Sequence, residues 1–214
     1  MNKKILLSTV AVAIIAISAV FIFQKKQETA KQTAAPQTPI DITDQPTLNP
    51  GAKISIVAFE DLKCSNCQRY YTELYPKIKE AYIDTKKASY TQITLAFLPG
   101  SQPAGNAALC LYHQDPAFFF AFVDEIYKHQ PDEALNWATP STLMTFAASI
   151  SGVDTELLQS CIKGQLYYST LDTNFALAGK VMGDYVATPT LFVNGHKVDS
   201  LDMESIDLLV KQPS

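Results

Sequence analysis

Two of the four cysteines in this 214-residue chain lie three positions apart, in Cys64-Ser65-Asn66-Cys67. Residues at that spacing share one helix face, so the two sulfurs can reach disulfide geometry. The chemistry open to them is reversible dithiol–disulfide exchange. The pair comes after a short apolar run, Ile54-Ser55-Ile56-Val57-Ala58-Phe59, and opens a helical pattern. The first thiol therefore stands at the positive end of a helix dipole, beside backbone N–H groups without helical partners. Those groups favour thiolate over thiol, with pKa values of roughly 3.5–7.5 at such sites. Cys64 is expected as the exposed nucleophile and Cys67, one turn in, as the shielded resolving thiol. Other chemistries compete for the motif. A zinc site would need Cys110 and Cys161 to converge on the pair, and these two do not form a second C-x-x-C. Haem attachment needs a His after the second Cys, where Gln68 stands. An inert structural disulfide is a further alternative.

A second candidate element is Ala187-Thr188-Pro189-Thr190-Leu191-Phe192-Val193-Asn194-Gly195. Its Pro opens a strand, where no ladder hydrogen bond is lost. An X–Pro bond is the only kind with ready access to cis. A cis Thr188–Pro189 peptide would expose the backbone edge of Thr188 to a substrate strand. An ordinary trans Pro at a strand start is the alternative. Cys110 and Cys161 admit three readings: a structural disulfide, two buried free thiols, or a second redox pair. His113, His129 and His196 are scattered, without metal-binding spacing. Phe118-Phe119-Phe120-Ala121-Phe122 is apolar on nearly every side and reads as core, with a peptide- or partner-binding face as the alternative.

The elements that must position these residues can be read from periodicity. Ile54–Phe59 reads as a buried strand. Residues 65–83 have helical period, with a kink expected at Pro76. Tyr90–Leu98 reads as a second strand, and Thr190–Val193 as a third. Asn194-Gly195 is a two-residue hairpin signal, with His196-Lys197-Val198 returning. Ala104 to about Gly183 is mostly helical in composition, and Met203–Val210 suits a terminal helix. Strand–helix–strand gives a parallel pair, and the hairpin adds antiparallel strands, so the sheet is mixed.

The flanks differ from this body. Lys3 and Lys4 precede an apolar run from Ile5 to Phe23 that is about 28 Å long as a helix, close to a bilayer's hydrocarbon thickness. Residues 1–24 are expected as a membrane anchor, with a cleaved secretory signal as the alternative. Residues 25–50, rich in Gln, Thr and Pro, are expected as a flexible spacer. Residues 51–214 remain as one domain. The chain's 47% hydrophobic and 18% charged content excludes global disorder. A net charge of −4 without a basic block argues against nucleic acid as a partner.

The segment Phe59-Glu60-Asp61-Leu62-Lys63-Cys64-Ser65-Asn66-Cys67, the later Leu74-Tyr75-Pro76-Lys77-Ile78, and Thr188-Pro189-Thr190-Leu191-Phe192-Val193-Asn194-Gly195 together resemble the DsbA-like thioredoxin-fold proteins. The resemblance is to the membrane-anchored bacterial forms, and it covers most of Lys53 to Lys211. It implies an α/β thioredoxin-like fold with a mixed central sheet and an all-helical insertion at about 101–184. It implies an exported thiol–disulfide oxidoreductase, with Cys64 attacking, Cys67 as its partner, and Thr188 and Pro189 at the cis-proline site. Disulfide formation in exported proteins is the expected activity. A reductase or isomerase of the same fold, or a non-catalytic peptide- or metal-binding module, is the alternative. The resemblance also implies unfolded, cysteine-containing protein substrates, a membrane redox partner that resets the pair, and no cofactor. It favours a structural disulfide for Cys110 and Cys161. Location is expected on the extracytoplasmic side, by the anchor or by secretion.

Two departures bear on the couple. Many such proteins carry an acidic residue on the strand six positions before the first Cys, where this chain has Ala58. Glu60 and Asp61 lie nearer, with no assigned direction. The intervening dipeptide is Ser65-Asn66, whereas the strongest oxidants of the family resemble Pro-His. Lys63 and the Asn66 amide are the expected substitutes, and the couple is expected to be less oxidising than those oxidants.

Overall fold

The structure is a computed structural model that describes residues 17–24, 39–183 and 185–212. The chain divides into two units, Met1–Pro36 and Gln37–Ser214. In the first, residues 17–24 are helical with exposed side chains. The anchor expected over 1–24 lies mostly outside the described residues, as do residues 25–38 of the spacer expected over 25–50. Among the described residues no helix is long and apolar enough to cross a membrane.

The second unit is built on five strands: β1 (Thr47–Leu48), β2 (Ile54–Asp61), β3 (Ala88–Leu95), β4 (Thr190–Val193) and β5 (His196–Lys197). Their spatial order is β1-β3-β2-β4-β5. β2 and β3 are parallel, with Ile54 opposite Ala88 and Asp61 opposite Leu95. The other three pairings are antiparallel, so the sheet is mixed. Asn194 and Gly195 both take positive φ, 51° and 78°, the twist that a two-residue hairpin needs.

The spacer expectation fails at its C-terminal end. Thr47 and Leu48 pair with Thr91 and Tyr90 of β3. The Gln92 amide donates to Pro46 O at 3.0 Å. The Thr47 and Thr91 hydroxyls lie 2.9 Å apart, and Asn49 Nδ2 donates to Ile83 O at 2.6 Å. A two-residue strand between Pro46 and Pro50 is too short to leave a periodic signal.

The helix expected over 65–83 is divided. α1 (Ser65–Glu73) stops before Leu74, and α2 (Tyr75–Ile78) restarts with Pro76 in its first turn. A Pro there lacks the N–H that would continue the first helix, so the kink becomes a break. A π-helical turn, Lys79–Ile83, comes next. The second strand also differs: it starts at Ala88 and ends at Leu95, short of the Pro99-Gly100 break.

Between β3 and β4 runs the helical insertion: α3 (Gln102–Tyr112), α4 (Pro116–His129), α5 (Pro140–Ala147), α6 (Thr155–Gly164) and α7 (Tyr168–Met182). Asp115, Thr139 and Asp154 cap α4, α5 and α6 through their side chains. α8 (Met203–Val210) closes the chain.

Strand alternation assigns the two faces of the sheet. Ile56, Ala58 and Tyr90 pack with Tyr70, Leu74 and Ile78 on one side, joined by Ile206 and Leu209 of α8. Val57, Phe59, Ile93 and Phe192 pack with Ala178 of α7 on the other. A third cluster unites Phe119, Phe122 and Ile126 of α4 with Leu62, Cys64 and Cys67. Each fully buried large side chain contributes about 1.5–3 kcal/mol, so the insertion is held to the β2–α1 junction by much of its own core.

Candidate active site

Asp61 ends β2 and fixes the turn into the next helix. Its Oδ1 accepts the Lys63 amide at 2.9 Å. Its Oδ2 accepts the Phe97 and Leu98 amides, both at 3.1 Å, and the Ser101 hydroxyl at 2.9 Å. One carboxylate thus ties the end of β2 to the segment after β3, although burial pushes its pKa above the ordinary value. The chain then turns at Leu62-Lys63 and enters α1 with Cys64 as N-cap, in extended backbone conformation.

Cys64 and Cys67 are brought together with Thr188 and Pro189. Cys64 Sγ lies 3.6 Å from the Thr188 carbonyl oxygen. The Thr188–Pro189 peptide is cis. Thr188 and Pro189 share a groove of about 400 Å³ with Asn66, Arg69 and Glu73. The exposure expected of Cys64 is not found: it is 6% exposed, against 0% for Cys67. The segment opening β4 approaches the sulfur and leaves little of it to solvent.

The two thiols are driven in opposite directions. Cys64 is lowered to about 6, first by a hydrogen bond from the Cys67 thiol and then by the Thr188 side chain and the Cys67 and Asn66 backbone N–H groups, against burial. Cys67 is pushed well above its ordinary value, chiefly by burial. At neutral pH the arrangement is a thiolate supported by a neighbouring thiol.

Beneath the pair lies a residue whose direction the sequence left open. Glu60 is 0% exposed. It falls on the same face of β2 as Ile56 and Ala58 by alternation. Its Oε1 accepts the Tyr90 hydroxyl at 2.9 Å, and the Tyr70 and Tyr90 hydroxyls lie 3.2 Å apart. Burial raises Glu60 to about 7, against hydrogen bonds from Tyr90 and Tyr127. Its charge opposes ionisation of Cys67. The carboxyl missing at Ala58 is thus supplied two residues later on the same face. Period-two alternation along β2 is the signal that could have found it.

Lys63 and Asn66 differ from expectation. The buried Lys63 ammonium donates to Pro99 O at 2.8 Å, away from the role of a second thiolate donor. Asn66 contributes its backbone N–H rather than its side-chain amide. The insertion also reaches this turn in ways the sequence did not reveal. Gln130 Nε2 donates to Lys63 O at 2.7 Å, and the Ser65 amide donates to Glu133 Oε2 at 2.6 Å. Gln68 Nε2 donates to Tyr127 O at 2.9 Å. No local spacing links residues this far apart in the chain.

Cys110 and Cys161 lie away from this site in the sequence and are bonded to one another, joining α3 to α6 across 51 residues with Cα atoms 6.0 Å apart. Neither thiol is free to complete a zinc site with Cys64 and Cys67. Among the described residues no group of three or more His, Cys, Asp and Glu could hold a metal ion.

A mixed sheet interrupted by helices, with a C-x-x-C at a strand–helix junction facing a cis-proline strand, defines a thioredoxin-fold protein. A family model described as thioredoxin matches residues 48–212, and the chain belongs to that family. Within it, the chain is a DsbA-like thiol–disulfide oxidoreductase. It is similar to the disulfide bond formation protein D of Bacillus subtilis, 29% identical over 155 residues that cover 72% of this chain and 69% of that one. Among solved structures it is similar to oxidised BdbD from Bacillus subtilis, with 27% identity and a TM-score of 0.75. It is also similar to DsbA of Chlamydia trachomatis, with 30% identity and a TM-score of 0.74. Each of these two structural matches covers 83% of this chain and 96% of the other.

Proposed function

We propose that this chain forms disulfide bonds in exported proteins on the extracytoplasmic side of a membrane, with Cys64 as the exchanging sulfur and Cys67 as its partner. The observation that carries this reading is the placement of Cys64 at the start of α1, one turn ahead of the fully buried Cys67 and with its Sγ 3.6 Å from the Thr188 carbonyl oxygen. These surroundings lower Cys64 to about 6 and push Cys67 well above its ordinary value. Such a pair has one good leaving group and one sulfur that returns to the thiol.

In the oxidising direction a substrate thiolate attacks Cys64 Sγ of the active-site disulfide. The Cys64–Cys67 bond breaks, and a mixed disulfide forms on Cys64. Cys67 leaves and takes up a proton, for which Glu60, raised to about 7, is the nearby buried donor. A second substrate thiolate attacks the substrate's own sulfur and expels Cys64 as a stabilised thiolate. The substrate leaves with a disulfide, and the protein retains the two electrons as a dithiol. A membrane redox partner removes them. Thr188 and Pro189 border the groove that a substrate segment would enter. No cofactor takes part.

Residues 1–24 are read as the membrane anchor, or as a secretory signal if cleaved, and the spacer is shortened to end before β1. The Cys110–Cys161 bond is read as structural. Alkylation with iodoacetamide tests the central claim: Cys64 should react with a midpoint near pH 6 and Cys67 should not. Cys64→Ser should abolish disulfide formation in a reduced, unfolded protein. Cys67→Ser, given a disulfide-bonded substrate, should accumulate a mixed disulfide as the Cys64 thiolate attacks it and expels the substrate's other sulfur. A Cys64 midpoint near 9, or a Cys64→Ser protein as active as its parent, would overturn the reading.

A further inference from the structure

Three backbone N–H groups open α1 around Cys64. Those of Asn66 and Cys67 serve the sulfur. The third, on Ser65, is taken by Glu133 Oε2 at 2.6 Å. Glu133 lies in the segment between α4 and α5, which also sends Gln130 to Lys63 O at 2.7 Å. The two contacts bracket Cys64, one on the residue before it and one on the residue after. An anion at a helix N-terminus is itself stabilised there. The Ser65 backbone N–H, the Ser65 side chain and the Lys63 charge hold Glu133 below the usual carboxylate range. It is therefore ionised at neutral pH, next to the residue that carries the exchanging sulfur.

We propose that Glu133 is a potential-setting residue of the Cys64/Cys67 couple, a built-in anion at the start of α1 that makes the pair less oxidising. The proposal rests on the reading of Cys64 as the exchanging sulfur. Against glutathione the couple is written as protein disulfide plus two glutathione thiols giving Cys64 thiolate, Cys67 thiol, glutathione disulfide and one proton. Reduction creates a negative charge on Cys64 that the disulfide lacks. A neighbouring carboxylate repels that charge in the reduced state alone, so it favours the oxidised state and lowers the potential. The other charged or titratable groups around this turn include Cys67, Glu60 and Asp61 at the end of β2, Lys63 before the sulfur, Tyr127 of α4, Asp132 beside Glu133, and Arg69 and Glu73 on the groove wall. All are unchanged when Glu133 alone is replaced. The insertion thereby acts on the couple without supplying a reacting atom.

The test uses the full chain, its Glu133→Gln variant and its Glu133→Lys variant. Gln keeps an acceptor oxygen for the Ser65 amide and removes only the charge. At low salt the Cys64 midpoint should fall by about half a pH unit in Glu133→Gln and further in Glu133→Lys. The glutathione equilibrium should move about threefold toward reduced protein in Glu133→Gln, or about 15 mV at ~30 mV per tenfold. Both shifts should shrink near ~1 M salt, where the screening length is about 3 Å. Variants that match the parent overturn the proposal, as does a shift undiminished by salt, which would make the contact purely structural. The parent's own titration separates the two claims. A parent midpoint near 9 defeats the assignment of Cys64, whereas a parent near 6 with unmoved variants defeats only the role of Glu133.

Discussion

Cys64 and Cys67 sit within one turn of α1, whereas Cys110 and Cys161 meet across α3 and α6 from positions 51 residues apart. Burial does not distinguish the pairs. All four residues are buried, and all four belong to the cluster around Phe119 and Phe122. What differs is the polar surroundings. The first pair faces helix N–H groups, the Thr188 side chain and the Glu60 carboxyl. Around the second, the polar neighbour is Asn106, whose Nδ2 lies 3.7 Å from Cys110 Sγ and 3.5 Å from Cys161 O. A link across two residues restricts the unfolded chain little, so local fields govern its exchange. A link across fifty removes much of the unfolded chain's freedom. On the proposed reading, one pair is tuned by its polar surroundings and the other restrains the unfolded chain.

The largest effect expected from this contrast is on the second pair. Replacing Cys110 and Cys161 together by Ala should lower stability by about 4 kcal/mol in the chain-entropy account, read as a lower urea midpoint. The Cys64 alkylation midpoint should stay near 6 in the folded variant. A Cys64 midpoint that moves with the loss of the distant bond would break the separation between the pairs.

Glu60→Gln sharpens the other side. Glu60 titrates near 7 when folded, above its ordinary 4.5. A carboxyl raised in this way supports the fold fully below about pH 4.5, and that support is lost as the pH climbs through 7. Between pH 4.5 and pH 8 the parent should therefore lose about 3 kcal/mol relative to Glu60→Gln, measured by urea unfolding across that range. Equal pH dependence in the two proteins would mean that Glu60 is not ionising in the buried site. The smallest effect is expected at Asp61. Asp61→Asn leaves one set of amide donors facing an NH2 group, at a cost of about 1–2 kcal/mol. Faster hydrogen exchange at the Phe97 and Leu98 amides should accompany it, and exchange unchanged at both would show that the carboxylate does not hold that segment.

What the sequence made legible was local. The strand Ile54–Phe59, the C-x-x-C at its end and the Asn194-Gly195 hairpin each declare themselves within a few residues. Pro76 announced a disturbance in the helix, and only packing decided that it would be a break. Glu60 carried a partial signal, because alternation gives its face while its buried tyrosine partners come from elsewhere. β1 was too short to show a period. The contacts of Gln130 and Glu133 with the Cys64 turn span 67 and 68 residues. They depend on how α4 docks, which no local pattern encodes. The near-closure of Cys64 depends likewise on β4, more than a hundred residues away.

The outer rim of β3 has a further consequence. Ala88 O receives the Asn49 side chain at 3.2 Å, and Leu48 pairs opposite Tyr90. The Gln92 amide donates to Pro46 O, and Thr94 O accepts the Asn174 amide at 2.9 Å. Every second residue along that rim is engaged, by four different devices. The opposite rim is β5, only two residues long. Among the described residues the sheet therefore offers another chain only two short edges, β1 and β5, and growth of a continuous sheet with a neighbouring molecule is disfavoured.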